Sequence, residues 1–279
     1  MVPSWVAELL PDAVRWEPVR GGYTRSPKWR VELRDGSGAF VKVADEERLL
    51  QMLRTELVVF RGVRGAFLPE LIALHDDGDR AMLVVEDLSK AHWPPPYPDD
   101  VTPLLAALDA VADTQPPAGL PRLERSVPAW DRVDPVAVAA LGGCTRTWLE
   151  DALPALADAE RRLDRMGDRL VHYDVWAENV CFADRGCLLV DWACAVLGNP
   201  RIDVAYALLN VRVESGDAPR VEDDALLPAY VCGAVAVEAT TPLPDWAQVD
   251  STLRADQTAD LAVGLRWAAE ALGLPPPRA

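Results

Sequence analysis

The run His92-Trp93-Pro94-Pro95-Pro96-Tyr97-Pro98 divides the chain into two parts with different hydrophobic periods. A segment this rich in proline continues neither a helix nor a central strand, because proline fixes φ and lacks an amide donor. Before it the period is two. Trp29, Val31 and Leu33 alternate with Arg30, Glu32 and Arg34, Asp35-Gly36-Ser37-Gly38 supplies a turn, and Ala39 to Val43 returns as a second strand. Val14 to Arg20 reads as a further strand, and Leu71 to His75 with Ala81 to Glu86 as another hairpin across Asp76-Asp77-Gly78-Asp79. One helix interrupts this part, over Asp45 to Arg61. After the break the period becomes helical: Val101, Leu104, Leu105, Leu108 and Val111 share one face, and helices are expected over Thr147 to Arg165, Val204 to Val213, Asp223 to Glu238 and Asp250 to Leu272. Gln115 to Asp134 reads as a long loop. This segregation predicts an α+β fold of two lobes: residues 1–90 as a small antiparallel sheet with one helix, and residues 91–279 as a larger, mainly helical lobe.

Totals narrow the function. The net charge of −16 argues against nucleic acid, whose binding rests on basic surface. It would suit a cationic small molecule, but acidic charge that simply keeps the chain soluble is the plainer reading. No window approaches the roughly 18 uninterrupted apolar residues of a membrane span. The N-terminal residues have no basic lead before an apolar run, so no secretory signal is expected. Cys144, Cys181, Cys187, Cys194 and Cys232 form an odd set without a C-x-x-C pair, which fits buried thiols in a reducing cytoplasm better than zinc or disulfides. Nothing in the chain specifies an oligomeric state.

The chemistry gathers between Leu170 and Ala205. Val180 to Ala183 and Cys187 to Val190 read as a hairpin turning at Asp184-Arg185-Gly186. Asp174 and Asn179 precede it and Asp191 follows its second strand, so the hairpin would bring all three to one end. Two hard oxygen ligands and a further carboxylate suit Mg²⁺ beside a phosphate, with a base to take a proton.

Upstream, Lys42 stands out. The chain has three lysines, at 28, 42 and 90, against 25 arginines, yet one lies inside the apolar run Ala39-Phe40-Val41-Lys42-Val43. It shares a strand face with Phe40, and a buried ammonium needs a partner. Glu56 falls on the apolar side of the following helix, with Leu49, Met52, Leu53, Leu57 and Phe60, and is the expected counter-ion. Gly21-Gly22-Tyr23-Thr24-Arg25-Ser26 could cover phosphates with its amides and hydroxyls. No G-x-x-x-x-G-K-[ST] string occurs, which excludes a Walker-type loop.

HYDVWAEN (172–179) followed by VDWACAVLGNPRIDVA (190–205) resembles the aminoglycoside phosphotransferase and choline kinase group, within the protein-kinase-like fold. FVKVA (40–44), Glu56 and the hinge-like LVVEDL (83–88) fall in that group's order, so the likeness spans about residues 14 to 210. The resemblance implies a two-lobed kinase that moves the γ-phosphate of ATP, or GTP, to a hydroxyl of a small molecule such as an amino sugar. Asp174 would take the acceptor's proton; Asn179 and Asp191 would hold Mg²⁺; Lys42, anchored by Glu56, would grip the α- and β-phosphates. Ser26 would lie in the phosphate-covering loop, backbone groups of Glu86 and Leu88 would bond the base, and Phe40 would pack on its ring. His172 would brace the loop and Asp203 would be structural. Two positions depart from the group's pattern: Tyr173 stands where glycine is usual, and Trp176 where a cation often meets the transferring phosphate. Trp176 either weakens turnover or walls an aromatic or sugar acceptor. The first favours an alternative reading, a nucleotide-binding pseudokinase that senses rather than reacts.

Overall fold

The computed structural model describes residues 2–20, 26–99, 101–216, 218–221, 225–242 and 253–278. A short helix α1 (Ser4–Leu9) precedes strands β1 (Ala13–Pro18), β2 (Lys28–Leu33) and β3 (Gly38–Ala44). Helix α2 (Glu47–Gly62) follows, then β4 (Leu71–Asp76) and β5 (Ala81–Glu86). The five strands form one antiparallel sheet in the order β1-β2-β3-β5-β4. Alternation along the central strands splits the sheet into two faces. Ala39, Val41, Val43, Met82, Val84, Trp29 and Val31 pack with Val6 and Leu10 into a small core beneath α1. Phe40, Lys42 and Ala44 point to the opposite face, where Leu83 and Val85 meet the main core.

That main core runs without a break from α2 into the rest of the chain. Leu49, Leu53, Leu57 and Phe60 are buried on α2, and they belong to one cluster with Trp192, Leu208 and Leu261. Helix α2 packs against the 3-10 turn Trp192–Cys194, where Phe67 lies 5.9 Å from Trp192 ring to ring. The proline-rich connection is tied down as well. His92 and Phe182 exchange backbone hydrogen bonds of 2.8 Å in both directions, and Tyr97 sets its ring edge-on to Phe182.

The larger lobe holds α3 (Thr102–Asp113), α4 (Pro135–Leu141) and α5 (Arg146–Arg162). Strand β6 (Arg169–Val171), the hairpin β7 (Val180–Ala183) and β8 (Gly186–Leu189), and β9 (Val196–Gly198) follow, before α6 (Arg201–Ser215), α7 (Leu226–Thr240) and α8 (Leu253–Leu272). The α+β expectation and the two-lobed arrangement hold. Three features escaped the sequence reading: α1, α4, and the β6–β9 pair, whose strands have three residues each. All are too short to show a period. Among the described residues no helix is long and apolar enough to cross a membrane, and all five cysteines are free, four of them buried.

Candidate active site

A cavity of about 340 Å³ lies between the sheet face that carries Phe40 and Lys42 and the residues that flank the β7–β8 hairpin, Glu178, Asn179, Val190 and Asp191. Of the expected residues, Phe40, Lys42, Glu56, Glu86, Leu88, Asn179 and Asp191 line it. Asp174 is not part of the lining but is hydrogen-bonded to Asn179, which is. Ser26 is buried but is not part of the lining, and Gly21 to Arg25 lie outside the described residues.

Lys42 joins the two lobes. Its Nζ donates to Glu56 Oε2 at 2.8 Å and to Asp191 Oδ1 at 2.7 Å. Burial by itself would lower the lysine's pKa; the carboxylates of Asp191 and Glu56 outweigh that and hold it above its usual value. Glu56 goes the other way, raised by burial against the pull of Lys42. Asp191, partly open to solvent, is lowered because Lys42, with help from Lys28, overcomes its own desolvation.

The loop from His172 to Asn179 is held by buried polar groups. Asp203, at the start of α6, accepts the amides of His172 at 2.7 Å and Tyr173 at 2.8 Å. Burial pushes Asp203 up to about 7 despite those two bonds. The His172 ring is wholly buried and lies 4.4 Å from Trp192. Its Nε2 is 2.9 Å from the Val190 carbonyl, which only accepts, so that nitrogen carries the hydrogen. Burial lowers the imidazole to about 4, leaving it neutral at pH 7. Tyr173 has φ 66° and Asp191 φ 57°, the two non-glycine residues with positive φ among those described. Both flank the site, as strained backbone commonly does. The left-handed turn also explains why glycine is at home at position 173.

Asn179 donates Nδ2 to the backbone oxygen and to Oδ2 of Asp174, both at 2.9 Å. With both amide hydrogens so used, its Oδ1 is the atom that could hold a cation, and Asp191 keeps Oδ2 beyond its bond to Lys42. Two oxygen ligands with room for phosphate oxygens fit Mg²⁺, which is commonly held by one or two carboxylate-type groups plus phosphates. Among the described residues no group of three or more His, Cys, Asp or Glu side chains gathers to hold a metal unaided. Asp174 keeps a partly exposed edge, yet burial of its carboxyl and then repulsion from Asp191, Glu178 and Glu238 push it up to about 8, against the Asn179 bond.

The APH phosphotransferase enzyme family model matches residues 15–233. The chain belongs to this family. The family expectation and that of a phosphotransferase enzyme therefore both stand. No curated protein matches the chain. Solved structures share its fold at low identity. A thermostable mutant of aminoglycoside phosphotransferase APH(4)-Ia, in ternary complex with AMP-PNP and hygromycin B, is 13% identical with a TM-score of 0.57, over 97% of either chain. A choline/ethanolamine kinase family protein from Mesorhizobium loti is 13% identical with a TM-score of 0.57, over 95% of this chain and 94% of its own. A putative fructosamine-3-kinase from Thermobifida fusca YX-ER1 is 22% identical with a TM-score of 0.52, over 92% of this chain and 97% of its own.

Three features of this phosphotransferase's site were missed from sequence. Trp93, read only as part of the connection, lines the cavity and donates Nε1 to the Leu88 carbonyl at 2.9 Å. That carbonyl also accepts Ala91 N, so both its lone pairs are engaged and it has none left to offer a ligand. The Glu86 side chain is likewise occupied, by Arg185 and the Glu70 amide. Lys28 lines the same cavity from β2. Asp260 is pushed up to about 7 by burial and then by Asp256, Glu178, Glu214 and Glu238, so carboxylates from α6, α7, α8 and the loop before β7 lie within electrostatic reach of it. Glu214 is the described member of the acidic run Glu214, Asp217, Glu222, Asp223 and Asp224; the other four lie outside the described residues.

Proposed function

We propose that the protein transfers the γ-phosphoryl group of ATP, or GTP, to a hydroxyl of a small cationic molecule, with Mg²⁺. The observation that carries this reading is the Lys42 bridge between Glu56 and Asp191, seated beside the Asn179–Asp174 clasp. On this reading residues 1–90 hold the nucleotide, with Phe40 against the base and the Leu88 N–H bonded to it, and Trp93 from the connection completes the wall. Residues 91–279 carry the chemistry. Lys42 directs its third N–H at the α- and β-phosphates, since Glu56 and Asp191 take the other two. Asn179 and Asp191 hold the magnesium ion. Bound there, the ion would offset charge on the phosphate oxygens and relieve the repulsion from Asp191 that helps raise Asp174. Asp174 orients the acceptor hydroxyl and takes its proton as the new O–P bond forms and ADP departs. The carboxylates within electrostatic reach of Asp260 favour an amine-bearing acceptor.

Trp176 keeps the pseudokinase reading in view. It rests edge-on against the buried Tyr206 at 5.2 Å and offers no cation to the phosphate. One assay separates the readings: ADP release measured with a panel of amino sugars, nucleosides and choline, with Mg²⁺ and with chelator. The kinase reading expects acceptor-dependent ADP release that chelator abolishes. It also expects Asp174→Asn to lower kcat by about 10²–10⁴-fold while ATP affinity stays close to that of the wild type. If wild type and Asp174→Asn release ADP equally slowly with every acceptor, the kinase reading fails.

A further inference from the structure

We propose that Lys28 is a second phosphate-binding lysine, acting with Lys42 as a two-lysine clamp on the donor's polyphosphate; the proposal rests on the nucleotide reading above. The chain has 25 arginines and three lysines. Two of those three stand directly opposite each other, Lys28 on β2 paired with Lys42 on β3. Opposite residues on neighbouring strands share a face, with Cβ atoms about 4.5–5.5 Å apart. Both side chains line the one cavity, together with Glu56, Asn179 and Asp191.

Two ammonium groups so placed repel, and like charges directly opposite destabilise a sheet. Lys28 is also half-buried. Burial and then the charge of Lys42 lower its pKa, while Asp191 and Glu56 oppose them. The arrangement becomes favourable when an anion enters between the two lysines.

Charge counting shows what such an anion requires. Lys42, Glu56 and Asp191 together carry a formal charge of −1, so the bridge alone does not attract a polyphosphate. The same register orders the cavity from end to end. Arg30 lies opposite Phe40 and pairs with Asp87 at 3.4 Å beside the hinge, the end assigned to the base. Lys28 lies opposite Lys42 at the end assigned to the phosphates. It offers there a positive charge that position 176, a tryptophan, does not.

Isothermal titration of wild type, Lys28→Met, Lys28→Gln and Lys28→Arg with ATP, ADP and adenosine tests this. Both neutral variants are expected to weaken ATP and ADP binding tenfold or more, to leave adenosine binding within twofold of wild type, and to melt at or above the wild-type Tm. Lys28→Arg should recover most of the ATP affinity. Unchanged ATP affinity in both neutral variants overturns the clamp; if Lys42→Met still weakens ATP binding in the same series, the nucleotide reading stands. A parallel loss of ATP and adenosine binding with a lowered Tm assigns Lys28 a structural role and also overturns it. Wild type that binds no ATP overturns the nucleotide reading and the clamp together.

Discussion

Replacing Asp203 by asparagine separates two opposing effects at the base of the loop from His172 to Asn179. The carboxylate accepts the amides of His172 and Tyr173, which favours its charged form, while full burial favours the neutral form and moves the pKa from 3.8 to about 7. At about 1.4 kcal/mol per unit, a shift of roughly three units amounts to about 4 kcal/mol. Because the folded pKa is raised above the unfolded one, the folded state binds the extra proton. Its stability is therefore full below 3.8, declines as pH rises through 7, and levels off above that. Between pH 5 and pH 8 the wild type should lose roughly 2–3 kcal/mol from this residue alone. Asparagine cannot titrate, and it offers one acceptor oxygen for two amides. That leaves one buried N–H unpaired in the variant, a penalty of about 1–3 kcal/mol that does not itself change with pH. The gap between variant and wild type should thus move in the variant's favour by roughly 2–3 kcal/mol from pH 5 to pH 8. Urea denaturation at both pH values, followed by tryptophan fluorescence, measures that gap directly. Taking the difference between the two proteins removes the titration of Asp174, Glu238 and Asp260, which are raised toward the same range. A gap that stays constant would refute the claim that burial dominates at Asp203.

Glu56→Gln should keep the Lys42–Asp191 bond but loosen the lysine, raising the ATP KM about tenfold with a smaller change in kcat; an unchanged KM would show that Asp191 alone places Lys42. Trp93→Ala removes a wall of the cavity and one of two bonds to the Leu88 carbonyl, so nucleotide KM should rise while kcat stays near the wild-type value, as steady-state kinetics would show. Tyr173→Gly relieves left-handed strain of about 1–2 kcal/mol but gives up the ring packing against Tyr206. We expect a net destabilisation of about 1 kcal/mol, since even a half-buried aromatic ring contributes more than that strain. A variant that melts above wild type would mean the ring contributes little.

How far the sequence carried depended on whether a pattern was local. The Lys42–Glu56 pair was legible because one residue interrupts a period of two and the other sits on a period of 3.6, each within its own element. The third member, Asp191, lies 149 residues from Lys42, and no local period reports a contact across that distance. The hairpin argument placed Asp191 with Asn179 but said nothing of the lysine. Lys28 was missed for a different reason. Alternation along β2 separates an apolar face, with Trp29 and Val31 buried, from a polar one. A polar face usually means solvent, and alternation does not show that here it is the wall of a cavity. Likewise, Tyr173 was noted as a departure without its cause, because a left-handed φ leaves no mark on composition when glycine is absent.

Placement of polarity and strain argues for the site independently of any resemblance. Among the described residues eight polar or charged side chains are buried, and Lys42, Glu56, His172, Asn179 and Asp203 are five of them. All five lie around the loop and hairpin that face the sheet. Both positive-φ non-glycine residues lie there too. Glu160 is buried for an ordinary reason: it accepts the amides of Ala129 and Trp130 at 2.7 and 3.0 Å, at a turn that would otherwise hide unpaired donors. The buried charges at the cavity have no such local task, for Lys42 and Glu56 satisfy each other and a pair of apolar residues could fill the same space at equal or greater stability. Retaining an ion pair there, joining it to Asp191 across the lobes and setting a second lysine opposite are together costly for the fold alone. They become consistent once a charged ligand occupies the space between sheet and hairpin, which is where the rules that govern the rest of the chain give way to function.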